Sequence, residues 1–166
     1  VLRSIVTTKN MPNFGYLGYK ANENKYTYAR PTEDKISQLF MNMKDLADYV
    51  IIDCVSDRSD LISSLAKAEA DVIVQVVTPT LKCMSYYAAN GDQFIAFADK
   101  VVKVINIKDN DIYLPVGEVK EHFKDVEIKI PYSHSLKQQS ITGTLSEHIT
   151  DKVFCDSILR LAKVVS

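Results

Sequence analysis

The sequence is short of the features that mark membrane and secreted proteins. Its longest unbroken apolar stretches are brief, as at residues 49–52, whereas a membrane-spanning helix needs about 20 consecutive apolar residues. The start of the sequence has no charged segment followed by an apolar one, so no secretory signal is visible. We therefore expect a cytoplasmic protein.

The sequence also has few cysteines and almost no net charge. Cys54, Cys83 and Cys155 lie far apart and are odd in number, which matches neither a disulfide framework nor a metal-ligand spacing. Twenty basic residues against 21 acidic ones give a net charge of -1. Nucleic-acid binding therefore has no support from the charge of the whole chain and would require a local basic patch.

The amino-acid composition is that of an ordinary globular protein. It has 166 residues, 46% hydrophobic and 25% charged, and no linker or repeat divides it, so we expect a single domain over residues 1–166. Residues 1–31 read as an irregular N-terminal segment, with a short strand at 3–7 and a tyrosine-rich loop or hairpin at 10–30. The first residue is Val1, which favours a chain that begins inside a longer protein.

Strand-like and helix-like segments alternate from residue 49 onward. Continuous apolar runs without polar alternation predict strands that are covered on both faces. Alternation with helices predicts parallel strands joined by crossovers, and therefore an open, mainly parallel α/β sheet with helices on both faces in three layers. The predicted strands are 49–53, 71–77, 100–105 and 127–130, and the predicted helices begin at 32, 60, 81, 115 and 149.

Ligands of such sheets bind outside the carboxyl ends of the strands. Asp53 ends the first predicted strand, and an exposed carboxylate there can hold Mg²⁺ through water beside the phosphates of a nucleotide. This apolar run followed by aspartate is the pattern called Walker B. A strand-ending aspartate that only caps the following turn is the alternative.

Four motifs in order carry a resemblance to a known family. They are DYVIID at 48–53, ADVIVQVVTP at 70–79, KVIN at 103–106 and IPY at 130–132. Over residues 35–165 this order resembles the ParA/MinD family of deviant Walker-type ATPases, which have a P-loop NTPase-like fold. The resemblance implies that Asp53 is the Walker B carboxylate near Mg²⁺ and that Asp57 lies in the loop that senses the γ-phosphate.

The resemblance also implies an adenine side of the site. Thr78 and Pro79 would lie beside the nucleotide at the end of the central strand. Asn106 would hydrogen-bond the adenine, because an amide offers both a donor and an acceptor. Pro131 and Tyr132 would border the base. The alternatives are that Asn106 and Pro131 only terminate their strands.

The departures from the family concern phosphate binding. No G-x-x-x-x-G-K-[ST] loop occurs, and the only close glycine pair, Gly15 and Gly18, lacks that spacing. The loop after Asp53 contains neither proline nor glycine, so no residue there lets the backbone approach a γ-phosphate freely. Either a phosphate loop lies upstream of Val1, or the lineage has lost it. Whether the protein is an ATPase or a pseudo-ATPase depends on this point.

The resulting hypothesis is a ParA/MinD-like, ATP-binding protein that positions or recruits other machinery. It would use ATP or ADP with Mg²⁺, form a homodimer and bind protein partners. Peripheral membrane association through the last helix is disfavoured, because Asp151 and Asp156 interrupt it and basic residues do not cluster there.

The alternatives are a catalytically silent interaction module that uses residues 10–30, and a receiver-like domain. Cys54 would be a packed thiol rather than a nucleophile.

Overall fold

The computed structural model describes residues 5–9, 11–24, 26–108 and 114–166. The chain divides into two compact units, Val1–Ala70 and Asp71–Ser166, which we describe separately. The expected single domain over residues 1–166 stays a prediction.

The first unit begins with an antiparallel hairpin. Strand β1, Val6–Thr8, pairs with strand β2, Met11–Tyr16, and the register places Val6 opposite Tyr16 with an irregularity after Thr7. β1 overlaps the strand expected at 3–7, and only β2 lies within residues 10–30, where we expected a loop or an irregular hairpin. Residues 3 and 4 of the predicted strand lie outside the described residues.

Two helices build the core of the first unit. Helix α1, Glu33–Lys44, begins with two acidic residues, which favour a helix amino end. Helix α2, Leu61–Glu69, is capped by Asp60, whose side chain accepts a hydrogen bond from the backbone N–H of Ser63. The helices bury a small apolar cluster, consisting of Ile36, Phe40 and Ala66.

The prediction of a strand at residues 49–53 is wrong. The structure assigns no strand there, and the side chains of Tyr49 and Ile51 are 70% and 92% exposed. An apolar run becomes a strand only when a neighbouring strand supplies its hydrogen-bond partners. Within the described part of the chain no strand pairs with this segment, so it is not part of a sheet.

The second unit contains a three-stranded parallel sheet. Its strands are β3, Ile73–Val77, β4, Val101–Asn106, and β5, Val126–Ile130, and β4 lies between the other two. The other three predicted strands are thus confirmed, with ends shifted by one or two residues.

Helices cover both faces of this sheet. Val104 and Ile105 are adjacent in β4 and fully buried, and adjacent strand residues point to opposite faces. On one face, Ile105 packs in a cluster with residues of helices α3, Leu81–Asn90, and α4, Val116–His122. On the other, Val104 packs with Phe154 and Leu161 of helix α6, Lys152–Val165. The predicted α/β class with helices on both faces is confirmed.

Two helical segments differ from the prediction. The helix expected at 81–97 ends at Asn90, and a 3₁₀ segment, Gly91–Lys100, follows with a break at Phe97. Helix α5, His134–Thr142, was not predicted, because its polar sequence shows no apolar stripe, and it ends at Gly143 with a left-handed φ of 72°. In the described ranges, no helix combines the length and apolarity needed to cross a membrane.

We expect a large loss of stability when the buried aromatic side chain of Phe123 in the second unit is truncated. Phe123 is fully buried, and its ring centroid lies 4.0 Å from that of Tyr87. Phe123→Ala should lower the free energy of unfolding by about 3–5 kcal/mol in urea titrations, because it leaves a cavity. The matched control is Phe14→Ala, since Phe14 is 49% exposed. Equal losses in both variants would contradict this assignment of the core.

Candidate functional site

The candidate site lies where three parallel strands of the second unit end. The carboxyl ends of parallel strands meet at one edge of a sheet, and the register pairs Asn106 of β4 with Ile130 of β5. The structure therefore brings five of the residues singled out in the sequence to the same edge. They are Thr78, Pro79, Asn106, Pro131 and Tyr132.

The turn after β3 is fixed by its backbone and by a helix cap. The N–H of Thr80 donates to the carbonyl of Thr78 at 2.7 Å, and the carbonyl of Pro79 accepts from the N–H of Leu114 at 3.0 Å. The hydroxyl of Thr80 accepts from the N–H of Cys83 at 3.3 Å and so caps α3. Pro79 itself is fully buried, so it shapes the turn from within.

Asn106 is the last residue of β4 and is partly buried. Hydrogen bonding between β4 and β5 continues past it, because the N–H of Ile107 donates to the carbonyl of Ile130 at 3.0 Å. The backbone on both sides of Asn106 is thereby held in the sheet. Terminating the strand and presenting an amide at its end are thus compatible roles for this residue.

The segment after β5 presents an aromatic ring and starts a helix. Pro131 and Tyr132 are half-buried, and the Tyr132 ring meets the His134 ring edge-on, with centroids 4.7 Å apart. Ser133 is buried, and its hydroxyl accepts from the N–H of Leu136 at 3.3 Å, which caps α5.

Two helices begin at this edge of the sheet. Helix α3 starts after Thr80 and α5 starts after Ser133, and the free N–H groups of a helix amino end favour negative charge. The sequence reasoning missed both caps. A threonine or serine directly before each helix was the available signal, but α5 has no apolar periodicity to reveal the helix that Ser133 begins.

Asp53 and Asp57 belong to the first unit. Asp53 is exposed and follows the segment that is not a strand. The side chain of Asp57 accepts hydrogen bonds at 2.9 Å from both the N–H and the hydroxyl of Ser59, so in this structure its carboxylate fixes the turn before α2. Their expected roles at magnesium and the γ-phosphate stay predictions.

Cys54 follows Asp53, and its side chain is exposed, so the expectation of a packed thiol is wrong. Partial desolvation nevertheless raises the pKa of this thiol, although a hydrogen bond from Ser63 opposes the shift. The thiolate is the nucleophilic form, so a raised pKa leaves less of it at neutral pH. No cluster of metal-ligating side chains occurs in the described ranges either.

Comparison with solved structures finds a similar fold. The crystal structure of a ParA family ATPase from Chlorobium tepidum TLS matches with a TM-score of 0.72 and 17% sequence identity, over 90% of this chain. The chain has a ParA-like fold. It spans 63% of the length of that ATPase. No protein-family model matches the sequence, and no curated protein matches it.

The environment of Cys54 predicts slow alkylation. At pH 8 its reaction with iodoacetamide should be slower in the folded chain than in the urea-unfolded chain, and it should accelerate with a midpoint above the ordinary pKa of a thiol. Ser63→Ala should slow it further, because the hydrogen bond from Ser63 lowers the pKa, whereas Ser64→Ala should not. Peptide mass spectrometry measures each site separately, and faster alkylation in the folded chain would refute this account.

Proposed function

We propose that this chain is part of a ParA/MinD-like, ATP-binding protein that positions or recruits other machinery. The observation that carries the proposal is the convergence of three strand ends in the second unit, where Asn106 and Tyr132 lie at the same edge as the amino ends of α3 and α5. The ParA-like fold supports it. Septum placement, plasmid or chromosome partition, and localisation of a pilus, secretion or conjugation apparatus are the settings we propose.

The strand ends form the adenine side of the proposed site. The amide of Asn106 would donate to and accept from the base edge, and the rings of Pro131 and Tyr132 would supply apolar contact. Thr78 and Pro79 would border the nucleotide at the end of β3. Their backbone is already held in place by hydrogen bonds, so little ordering would be required on binding.

The phosphate side requires groups that this chain lacks. By the resemblance, Asp53 would hold Mg²⁺ through water and Asp57 would sense the γ-phosphate; both residues belong to the first unit. No glycine-rich lysine loop occurs in the 166 residues. We propose that such a loop is supplied by a segment outside them, which is consistent with the greater length of the similar ATPase. ATP hydrolysis and an ATP-dependent homodimer would belong to the form that contains the loop.

A specific observation favours a second candidate, a catalytically silent interaction module. Tyr16, Tyr19 and Tyr26 are 52%, 56% and 82% exposed, and aromatic side chains are common anchors of protein interfaces. The ring of Tyr19 stacks on that of Tyr28 at 5.8 Å. The Tyr28 hydroxyl donates to Glu23, and this bond lowers the pKa of Glu23 and raises that of Tyr28. We propose that these tyrosine side chains contact a partner protein.

Titration with ATP and Mg²⁺ tests the first proposal. The 166 residues alone should bind ATP weakly, and the longest form encoded by the gene should bind it tightly. In the longer form, Asn106→Ala should weaken the affinity about tenfold through the lost hydrogen bonds to adenine. Asn13→Ala is the matched control, because Asn13 is exposed on β2. Isothermal titration calorimetry measures each affinity.

The two candidate functions predict different results. Unchanged affinity in both Asp53→Ala and Asn106→Ala would refute the assigned site. Absence of ATP binding by the longest form would favour the silent module, for which Tyr26→Ala should impair capture of the partner without changing the fold.

A further inference from the structure

Basic and acidic residues are unevenly divided along the chain. Residues 1–31 contain five of its 20 basic residues and only one of its 21 acidic residues, whereas residues 32–166 contain 15 basic and 20 acidic residues. The nearly neutral charge of the whole chain conceals this difference. Lys9, Lys20 and Arg30 are exposed in the basic segment, and its one acidic residue is Glu23. A basic segment on an otherwise acidic chain favours a partner that is itself acidic.

The hairpin that begins this segment exposes one apolar face. Phe14 and Tyr16 are two residues apart in β2, so their side chains lie on the same face, and Val6 of β1 lies opposite Tyr16. These side chains are about half exposed. On the other face, Cγ2 of Ile5 lies 2.6 Å from the position that a Cβ atom on Gly15 would occupy. Ile5 therefore covers Gly15, while the aromatic face is left exposed.

Hydrogen bonds order the rings that follow the hairpin. The carboxylate of Glu23 accepts from the N–H of Lys20 at 3.1 Å and from the Tyr28 hydroxyl at 2.5 Å, and the Tyr28 ring stacks on Tyr19. The bond from Tyr28, followed by that from Lys20, lowers the pKa of Glu23, so this carboxylate is ionised at neutral pH. Because its rings are already ordered, the segment loses little conformational freedom when a partner binds.

We propose that residues 14–30 bind a segment of a partner protein that is rich in aspartate and glutamate and also carries apolar side chains. Lys20 and Arg30 would pair with the carboxylates, and the exposed aromatic rings would contact the apolar side chains. Aromatic anchors supply affinity, and complementary charge selects the partner. Such a site refines the partner contact proposed above for the tyrosine side chains and rests on it, but it does not depend on ATP binding.

An acidic protein segment fits this surface better than a single-stranded nucleic acid does. A nucleic acid carries a phosphate on every nucleotide and stacks its bases on exposed ring faces. Here the rings of Tyr19 and Tyr28 stack on each other, so one face of each is already covered, and the ionised Glu23 beside them would repel phosphates. A peptide can place its carboxylates against Lys20 and Arg30 and an uncharged residue next to Glu23.

Fluorescence anisotropy with the 166-residue chain tests this site. The probe is a fluorescein-labelled peptide of repeated Asp-Leu-Glu-Gly units. It should bind, and its affinity should fall when salt is raised to about 0.5 M, because salt screens exposed charges. Combining Lys20→Gln with Arg30→Gln should weaken binding about fivefold, since two ion pairs are lost. Tyr19→Ala should also weaken it, through the lost ring contact.

Matched controls come from exposed residues outside the segment. Lys152→Gln combined with Lys163→Gln removes two exposed charges from α6, and Tyr49→Ala removes a ring that is 70% exposed. These variants should bind the peptide as the unchanged chain does. Circular dichroism and urea unfolding verify that every variant folds. Equal weakening by the controls would contradict the assignment of the site to residues 14–30.

Three further results would overturn the proposal. One is the absence of peptide binding, and another is labelled oligodeoxythymidine that binds as tightly as the peptide, which would indicate a nucleic-acid partner. The third is equal binding of a peptide with lysine at every acidic position. If Tyr19→Ala weakened that binding, the tyrosine contact with a partner protein would stand and only its acidic chemistry would fail. The ATP titration is independent of all three results, so the ATP-binding function is decided separately.

Discussion

The pairing of β4 on both of its edges is the constraint on which the second unit depends. β4 is bonded to β3 on one side and to β5 on the other, so its backbone is satisfied internally and its side chains can be sealed from water. Val104 and Ile105 are both fully buried, one on each face, and each anchors a different helical layer. The same ladder fixes where β4 ends, and so fixes the position of Asn106.

The edge where the strands end combines rigidity with polarity. At each of two positions a strand leads into a helix through a short turn, and a threonine or serine hydroxyl accepts a hydrogen bond from one of the free N–H groups of the first turn. These caps stabilise the helices by about 1 kcal/mol each. A site that must recognise a small ligand benefits from this order, because fewer groups need to be immobilised on binding.

How much the sequence could predict depended on whether a segment finds its partners within the chain. The runs that became β3, β4 and β5 are apolar, and they pair with one another, so pattern and structure agree. Residues 49–53 have an equally apolar pattern, but no strand among the described residues pairs with them, and a local pattern cannot show that a partner is missing. Helix α5 is a helix that the apolar pattern does not predict. Its sequence is polar, and its ends are set by the Ser133 cap and by Gly143. For the candidate site, parallel topology sufficed to place Asn106 and Pro131 together, whereas the turn role of Asp57 depends on a side-chain contact with Ser59 that spacing does not reveal.

The scarcity of glycine limits what this chain can bind unaided. In the proposed site, a hydrogen bond to adenine would contribute about 0.5–1.5 kcal/mol, and stacking of the base on the Tyr132 ring would add a similar amount. Pro131 is not aromatic and would add only apolar contact. A micromolar complex requires about 8 kcal/mol. The remainder must come from the phosphates, whose usual protein ligands are backbone N–H groups in glycine-rich loops. With five glycines and no such loop, these 166 residues offer no such cluster of backbone N–H groups, so the proposed function depends on phosphate contacts made by another segment.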